Sequence, residues 1–104
     1  MITSETMNGV CRVRISADMT MYTAIEACDL LRETLLLYKE IEIDLAGVTD
    51  IDSAGLQLLI QVKRQGAKTG VLVRMACHSP AVQEIVDLYR LTSEFGDPMA
   101  MSPG

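Results

Sequence analysis

The sequence predicts one small α/β domain, with a mixed, mostly parallel β-sheet and helices mainly on one face of that sheet. Three short β-type segments alternate along the chain with three segments of helical spacing. Such alternation is typical of crossover connections, which join parallel strands and are right-handed in nearly all known cases. The 104 residues, 49% of them hydrophobic, suffice for one core and leave little room for a second.

The first strand and the first helix are predicted within residues 10–38. Apolar and polar residues alternate from Val10 to Ile15, as in a strand with one covered face. Thr23 and Glu26 have the spacing of a capping box, which predicts a helix from residue 24 to about residue 38. The stripe of this helix that we expect to be buried is Ile25, Cys28, Leu31 and Leu35.

The second strand and the second helix are predicted between residues 41 and 66. Ile41, Ile43 and Leu45 alternate with acidic residues, which again indicates a strand covered mainly on one side. Helical spacing resumes over residues 54–65, and Gly66 is interpreted as the helix stop.

A third strand and a third helix follow. Residues 71–76 are rich in β-formers, and Ser79 with Pro80 predicts an N-cap followed by a proline at the first helical position. The expected buried stripe is Val82, Ile85, Val86 and Tyr89. A last short strand is predicted at 91–95, so that the domain spans residues 1–96 and residues 97–104 form a flexible tail.

The composition argues against several classes of ligand and compartment. A formal net charge of −5 disfavours nucleic acid as the main ligand, because phosphate binding needs clustered Lys and Arg. Lys63 and Arg64, with Lys68 nearby, are interpreted as a solvated helix end, with a basic docking patch as the alternative. Three widely spaced cysteines form neither a redox pair nor a zinc motif and fit a reducing compartment. The N-terminus lacks the features of a signal peptide and no apolar run has membrane-spanning length, so we expect a cytoplasmic protein without membrane insertion.

The segment from Val48 to Leu56 joins a strand to a helix and is the strongest candidate for a working surface. Parallel α/β sheets meet ligands and partners at the carboxyl ends of their strands, which is where Ser53 is predicted to lie. Its hydroxyl is expected to cap the helix, because the first helical amides have no intrahelical partner and make that end locally positive. A phosphorylated Ser53 would offer three acceptor oxygens to the same amides and would add its charge to Asp50 and Asp52.

Local spacing leaves other interpretations of these residues open. On local sequence alone, Ser53 more commonly serves as a plain N-cap. Asp50 and Asp52 fit either a carboxylate pair or, more commonly, local bonds to backbone amides. An enzyme with Ser53 as nucleophile and His78 as base is disfavoured, because a nucleophile elbow requires glycine where Ile51 stands. His78 and the cysteine before it supply two metal ligands at most, fewer than a zinc site needs.

The run 43–59 resembles the STAS domain of bacterial anti-sigma factor antagonists. At its centre stand Asp52, Ser53, Ala54, Gly55 and Leu56. The likeness continues through Gly66, the strand at 71 and the helix that residues 79–82 open, and it covers roughly residues 10–95.

The resemblance implies that phosphorylation of Ser53 controls a protein partner. In the family, the serine directly after the aspartate is phosphorylated by an anti-sigma-factor kinase of the histidine-kinase-like ATPase type, and a PP2C-type phosphatase removes the phosphate. The kinase brings ATP and magnesium, so we expect the chain to need no cofactor and not to be an enzyme. The unmodified form would sequester the kinase and the phosphorylated form would release it, in signal transduction or transcription regulation. The implied partner-binding residues are Asp18, Thr20, Asp50, Asp52, Ser53, Ala54, Gly55 and Leu56.

One loop departs from the family pattern. Many members have Gly-Glu-Leu-Asp after the early strand, where this chain has Ala17, Asp18, Met19 and Thr20. The loop lies beside the phosphorylated serine in the family and helps to contact the kinase, so the substitution leaves the partner and the output open. A second interpretation is a fixed structural subunit, because some stand-alone STAS proteins sit on the ATPase of a lipid-trafficking ABC transporter.

Overall fold

A mixed, mostly parallel sheet with three helices forms the fold, as the sequence predicted, and the described part of this sheet has four strands. The structure, a computed structural model, describes residues 2–16, 18–21 and 23–90. The elements are β1 (Ile2–Met7), β2 (Val10–Ile15), α1 (Ala24–Leu37), β3 (Glu40–Asp44), α2 (Ser53–Thr69), β4 (Leu72–Ala76) and α3 (Pro80–Leu88). The strand order is β1-β2-β3-β4, in which β1 runs antiparallel to β2 and the other pairs are parallel. The strand predicted at 91–95 and the tail predicted at 97–104 lie outside the described residues.

β1 is a strand that the sequence patterns did not predict. It pairs with β2 along its whole length, from Ile2 opposite Ile15 to Met7 opposite Val10. The two residues between the strands, Asn8 and Gly9, both have positive φ, of 53° and 81°. Positive φ at both central residues is the geometry of a type I′ turn, which Asn-Gly favours. The Asn-Gly pair was therefore the available signal, but β1 is mostly exposed and lacks the apolar alternation of a half-covered strand.

The end of α2 differs from the prediction, because Gly66 lies inside the helix. The helix continues to Thr69 and ends at Gly70, which has a φ of 80° and donates its amide to the Gly66 carbonyl. A Cβ at Gly66 would lie 2.6 Å from Val73 Cγ2 and 2.9 Å from the Val71 carbonyl oxygen. Glycine is thus required at this position for the close packing of α2 on the chain that enters β4, and Gly70 is the helix stop.

The start and the buried face of α1 also differ from the prediction. Thr23 is the residue before the helix, but its side chain makes no capping bond, so the predicted capping box does not form. Its hydroxyl instead donates to the Asp18 carbonyl at 2.8 Å. The predicted stripe is rotated, because Ile25 is 73% exposed. The residues of α1 that are buried are Ala27, Leu31 and Thr34, while Cys28 and Leu35 pack partly against the core.

The start of α3 is as predicted, whereas its last predicted core residue is not buried. Ser79 is buried and its hydroxyl accepts the Val82 amide at 3.2 Å, directly before Pro80 at the first helical position. Val82 and Val86 are fully buried in the core. Tyr89 is 53% exposed, because the helix ends at Leu88 and the tyrosine leaves the buried stripe.

The two faces of the sheet differ in chemistry, which explains why the helices cover mainly one of them. Side chains on one face, among them Val13, Ile41 and Ile43, form a single apolar core with α1, α2 and α3. On the other face, one register row crosses all four strands with alternating charge: Glu5, Arg12, Glu42 and Arg74. Arg12 Nε lies 3.2 Å from Glu42 Oε1, and neighbouring Asp44 is paired with Arg14 at 3.4 Å. This charged row keeps the second face in water.

Candidate functional site

The candidate site is made by two loops that follow the parallel strands β2 and β3. Residues 18–21 and 49–53, which we call the two-loop site, are joined by a parallel bridge between Met19 and Ile51. The Met19 amide donates to the Asp50 carbonyl at 2.8 Å, and the Asp52 amide donates to the Met19 carbonyl at 3.3 Å. Met19 is buried, so it anchors its loop in the core and brings both loops to the same edge of the sheet.

Asp52, and not Ser53, caps α2. One carboxylate oxygen of Asp52, Oδ1, accepts the Gly55 amide at 3.0 Å, and the other, Oδ2, accepts the Met21 amide at 3.0 Å. These bonds from Gly55 and Met21 lower the pKa of Asp52 below its ordinary value. The predicted capping role of Ser53 is therefore wrong, because the aspartate before it takes the free helical amides. The same carboxylate also fastens one loop to the other.

Ser53 is the first residue of α2, and its side chain is exposed. Because Asp52 carries the cap, the interpretation of Ser53 as a plain N-cap does not hold in this structure. The hydroxyl lies at a helix N-terminus, where the local dipole favours negative charge. The position can thus accept a covalent phosphate without losing the bond that starts the helix.

Further hydrogen bonds within and between the loops fix the remaining polar groups of the two-loop site. Asp18 Oδ1 accepts the Thr49 hydroxyl at 2.8 Å, which adds another link between the loops. Asp50 Oδ1 accepts the Ile51 amide at 3.0 Å, so both aspartates of the second loop bind backbone amides, as the commoner interpretation predicted. The Thr20 carbonyl accepts the amides of residues 23 and 24 where α1 begins.

The eight residues that the resemblance assigned to partner binding divide by exposure. Three are exposed: Asp18, Asp50 and Ser53. Three are half-buried: Thr20, Asp52 and Ala54. Gly55 and Leu56 are buried. A Cβ at Gly55 would overlap the Met19 carbonyl oxygen, so this glycine permits the close approach of the two loops, while Leu56 packs in the core.

Two residues of the site were missed from the sequence. Met21 is 59% exposed, and its amide binds Asp52. Thr49 binds Asp18 across the site. The available signal was Met19, an apolar residue within an otherwise polar stretch, which marks a loop that is anchored in the core and is not freely solvated.

His78, the base in the disfavoured enzyme interpretation, has a lowered pKa, and burial is the main cause. Gln83 and Lys63 are the neighbours that affect this pKa. Within the described residues, no group of three or more His, Cys, Asp or Glu side chains is placed to hold a metal ion. No helix in that part of the chain has the length and hydropathy to cross a membrane.

Comparisons with known proteins show which solved structures share this fold. A search of curated proteins found no match. The structure is similar to an anti-sigma factor antagonist from Mycobacterium paratuberculosis, with a TM-score of 0.82 and 23% identity over 91% of this chain and 81% of that one. It is similar to SpoIIAA, an anti-sigma factor antagonist, in its unphosphorylated form, with a TM-score of 0.75 and 12% identity over 89% and 84% of the two chains. It is also similar to the Bacillus cell fate determinant SpoIIAA in its phosphorylated form, with a TM-score of 0.71 and 11% identity over 89% of this chain and 86% of that one.

At these identities the solved structures show a shared fold. The sequence model of the STAS domain matches residues 1–103, a longer stretch than the residues 10–95 over which the sequence resembles that family. The fold and this match agree, and the chain therefore belongs to the STAS domain family.

Proposed function

We propose that this protein is a phosphorylation-controlled binding module of the anti-sigma factor antagonist type. It sequesters an anti-sigma factor that is also a serine kinase of the histidine-kinase-like ATPase type while Ser53 is unphosphorylated, and it releases that partner when Ser53 is phosphorylated. A PP2C-type phosphatase resets it. The kinase supplies ATP and magnesium, and the module works in the cytoplasm without catalysis of its own, in keeping with a family whose members of this type are typically non-catalytic.

The observation that carries the proposal is the division of labour between Asp52 and Ser53. Asp52 holds the helix start and both loops through its two carboxylate oxygens. Ser53 is exposed beside it at the first helical position. A modification of Ser53 therefore alters the surface of the two-loop site and leaves its scaffold in place.

The electrostatics of the site supply the switch. A phosphate on Ser53 adds roughly two negative charges at pH 7. Asp18, Asp50 and Asp52 already give the two-loop site three carboxylates. The added charge repels a partner surface that is acidic at this point and loses hydration against one that is apolar, while the amides at the start of α2 offset part of the charge within the protein. Phosphorylation is thus expected to weaken binding far more than it affects folding.

The exposed surface of the two-loop site carries an apolar side chain as well as charged ones. Met21 is 59% exposed at the end of the first loop. Methionine is flexible and polarizable, which suits it to packing against a partner. We expect the partner to cover Met21 and the Ser53 hydroxyl together, so that the kinase in the complex is already adjacent to the residue it modifies.

The test is intact-mass spectrometry of the protein after co-expression with the kinase encoded next to its gene. The wild type is expected to gain one phosphate and Ser53→Ala none, while Ser4→Ala, which changes an exposed serine of β1, should behave as the wild type. Co-purification should show that Ser53→Ala retains the kinase and that Ser53→Asp releases it. A phosphate that persists in Ser53→Ala would refute the assignment. No phosphate, together with a stable complex with the ATPase of a lipid-transport system, would establish the structural-subunit alternative instead.

A further inference from the structure

A groove between α1 and α2 lies along the outer surface of the helical layer. It encloses about 630 Å³, within the range of small-molecule sites, which is roughly 300–1,000 Å³. Its apolar lining consists of Cys28, Leu35, Leu36, Leu58 and Val62. Leu36 is 87% exposed, so its side chain is accessible to a ligand.

The charge of the groove is opposite to that of the protein. Of the described residues, Arg32 from α1 and Arg64 and Lys68 from α2 line it and no acidic residue does, although the chain has 14 acidic and nine basic residues. Within the described residues, Arg32 and Lys68 form no ion pair. Three of the nine basic residues thus surround an apolar groove in a chain of net charge −5.

Basic residues on the open face of the sheet differ from those of the groove, because they are paired with carboxylates. There Arg12, Arg14 and Arg74 each lie within 4 Å of a carboxylate oxygen. The arginines of that face are therefore neutralised inside the protein. The charges of Arg32 and Lys68 are available to a bound anion.

The cations of the groove lie from its middle to one of its ends. Leu35 lies at van der Waals distance from the position of a Cβ on Gly66, so the last turns of α1 and α2 lie side by side, and Lys68 lies in the last turn of α2 at that end. Arg32 stands midway along the α1 side, four residues from both Cys28 and Leu36. Cys28 and Leu58 line the other end, about 12 Å from Leu36 along α1. That end of the groove has an apolar lining without a charged side chain among the described residues.

We propose that this groove binds a fatty acid of medium or long chain as a free molecule. The carboxylate lies near Arg32 and Lys68, and the alkyl chain runs along Leu58 and Val62 toward Cys28. A concave surface of this volume suits one alkyl chain, whereas binding to an anionic bilayer needs more clustered basic residues than this chain offers. The site is separate from the two-loop site and uses none of its residues.

The test is an NMR titration of the full chain with sodium decanoate. Amide shifts are expected along α1 and α2, and none should follow addition of acetate, which lacks the chain, or of decyltrimethylammonium, which has the chain with the opposite charge. Arg32→Gln and Lys68→Gln should each weaken decanoate binding about two- to fivefold, as expected for exposed ion pairs. Lys39→Gln, an exposed lysine outside the groove, is the matched control and should bind as the wild type.

A second pair of variants tests the apolar lining. Cys28→Ser should weaken decanoate binding, whereas Cys77→Ser, the same change at another half-buried cysteine outside the lining, should not. Neither variant should unfold the chain, because neither cysteine is fully buried. Equal binding of decanoate and decyltrimethylammonium would overturn the proposal. So would binding only to anionic vesicles, or a dimer in solution that Leu36→Gln dissociates, since a bilayer or a second copy would then be the occupant.

Discussion

Gly55→Ala is the substitution that tests most directly how the two-loop site is built. A Cβ at this position would overlap the Met19 carbonyl oxygen and lie 3.0 Å from the Met19 carbonyl carbon. The obstacle is backbone, so no side-chain rotation relieves it. The loops must then separate, and the Met19 carbonyl loses its bond from the Asp52 amide, which is 3.3 Å long in the native site.

Opposing effects determine how much Gly55→Ala changes the free energy of unfolding. Alanine is favoured over glycine in a helix by up to about 1 kcal/mol. Overpacking costs about 1–3 kcal/mol, and the bond from the Asp52 amide to the Met19 carbonyl contributes about 1 kcal/mol. The steric conflict and the lost bond outweigh propensity, so Gly55→Ala should lower the free energy of unfolding by about 2 kcal/mol and weaken partner binding.

Urea denaturation and the amide shifts of Met19, Met21 and Asp52 provide the assay. Gly66→Ala is the matched control, because it makes the same change in the same helix and collides with Val73 and Val71, away from the site. It should also destabilise the protein, but it should leave the site's amide shifts and partner binding unchanged. If Gly55→Ala were as stable as the wild type and its loop shifts were unaltered, the close approach of the loops would not depend on this glycine.

Three further predictions concern capping, acid sensitivity and thiol reactivity. Ser79→Ala should lower the free energy of unfolding by about 1 kcal/mol in urea, because the buried hydroxyl caps α3, whereas Ser53→Ala should change it by less than about 0.5 kcal/mol. Asp52 has a lowered pKa in the folded protein, so its contribution to stability is complete above the ordinary carboxyl pKa. This contribution is lost as the pH falls below about 4 and through the pKa of the folded state. An NMR titration of the carboxyl groups should find the midpoint for Asp52 in the folded protein below its midpoint in the unfolded chain. Burial raises the pKa of the Cys11 thiol, so iodoacetamide should modify Cys11 much more slowly than half-buried Cys77 in the native protein, and a similar rate for both would contradict the packing of β2.

The sequence predicted those elements whose patterns have a direct physical cause. Alternation in β2 and β3 reflects one covered face and one face in water, and the structure has both. Ser79 and Pro80 specify a helix start through local bonds and a fixed φ, so that start was predicted to the residue. The segment around Ser53 was found because its residues resemble a family motif and because the carboxyl ends of parallel strands share one edge.

Other features were decided by contacts between residues far apart in the chain. Gly66 and Gly70 both fit a helix stop locally, and only the position of β4 shows that Gly66 is required for packing. Ser53 and Asp52 both fit an N-cap locally, and only the loop that carries Met21 shows why Asp52 takes the role, since its second oxygen binds across the site. Local chemistry thus determined that a helix starts at Asp52 and Ser53, at this edge of the sheet. The tertiary structure decided which side chain holds that helix and which is left accessible, because the choice depends on a backbone amide 31 positions away.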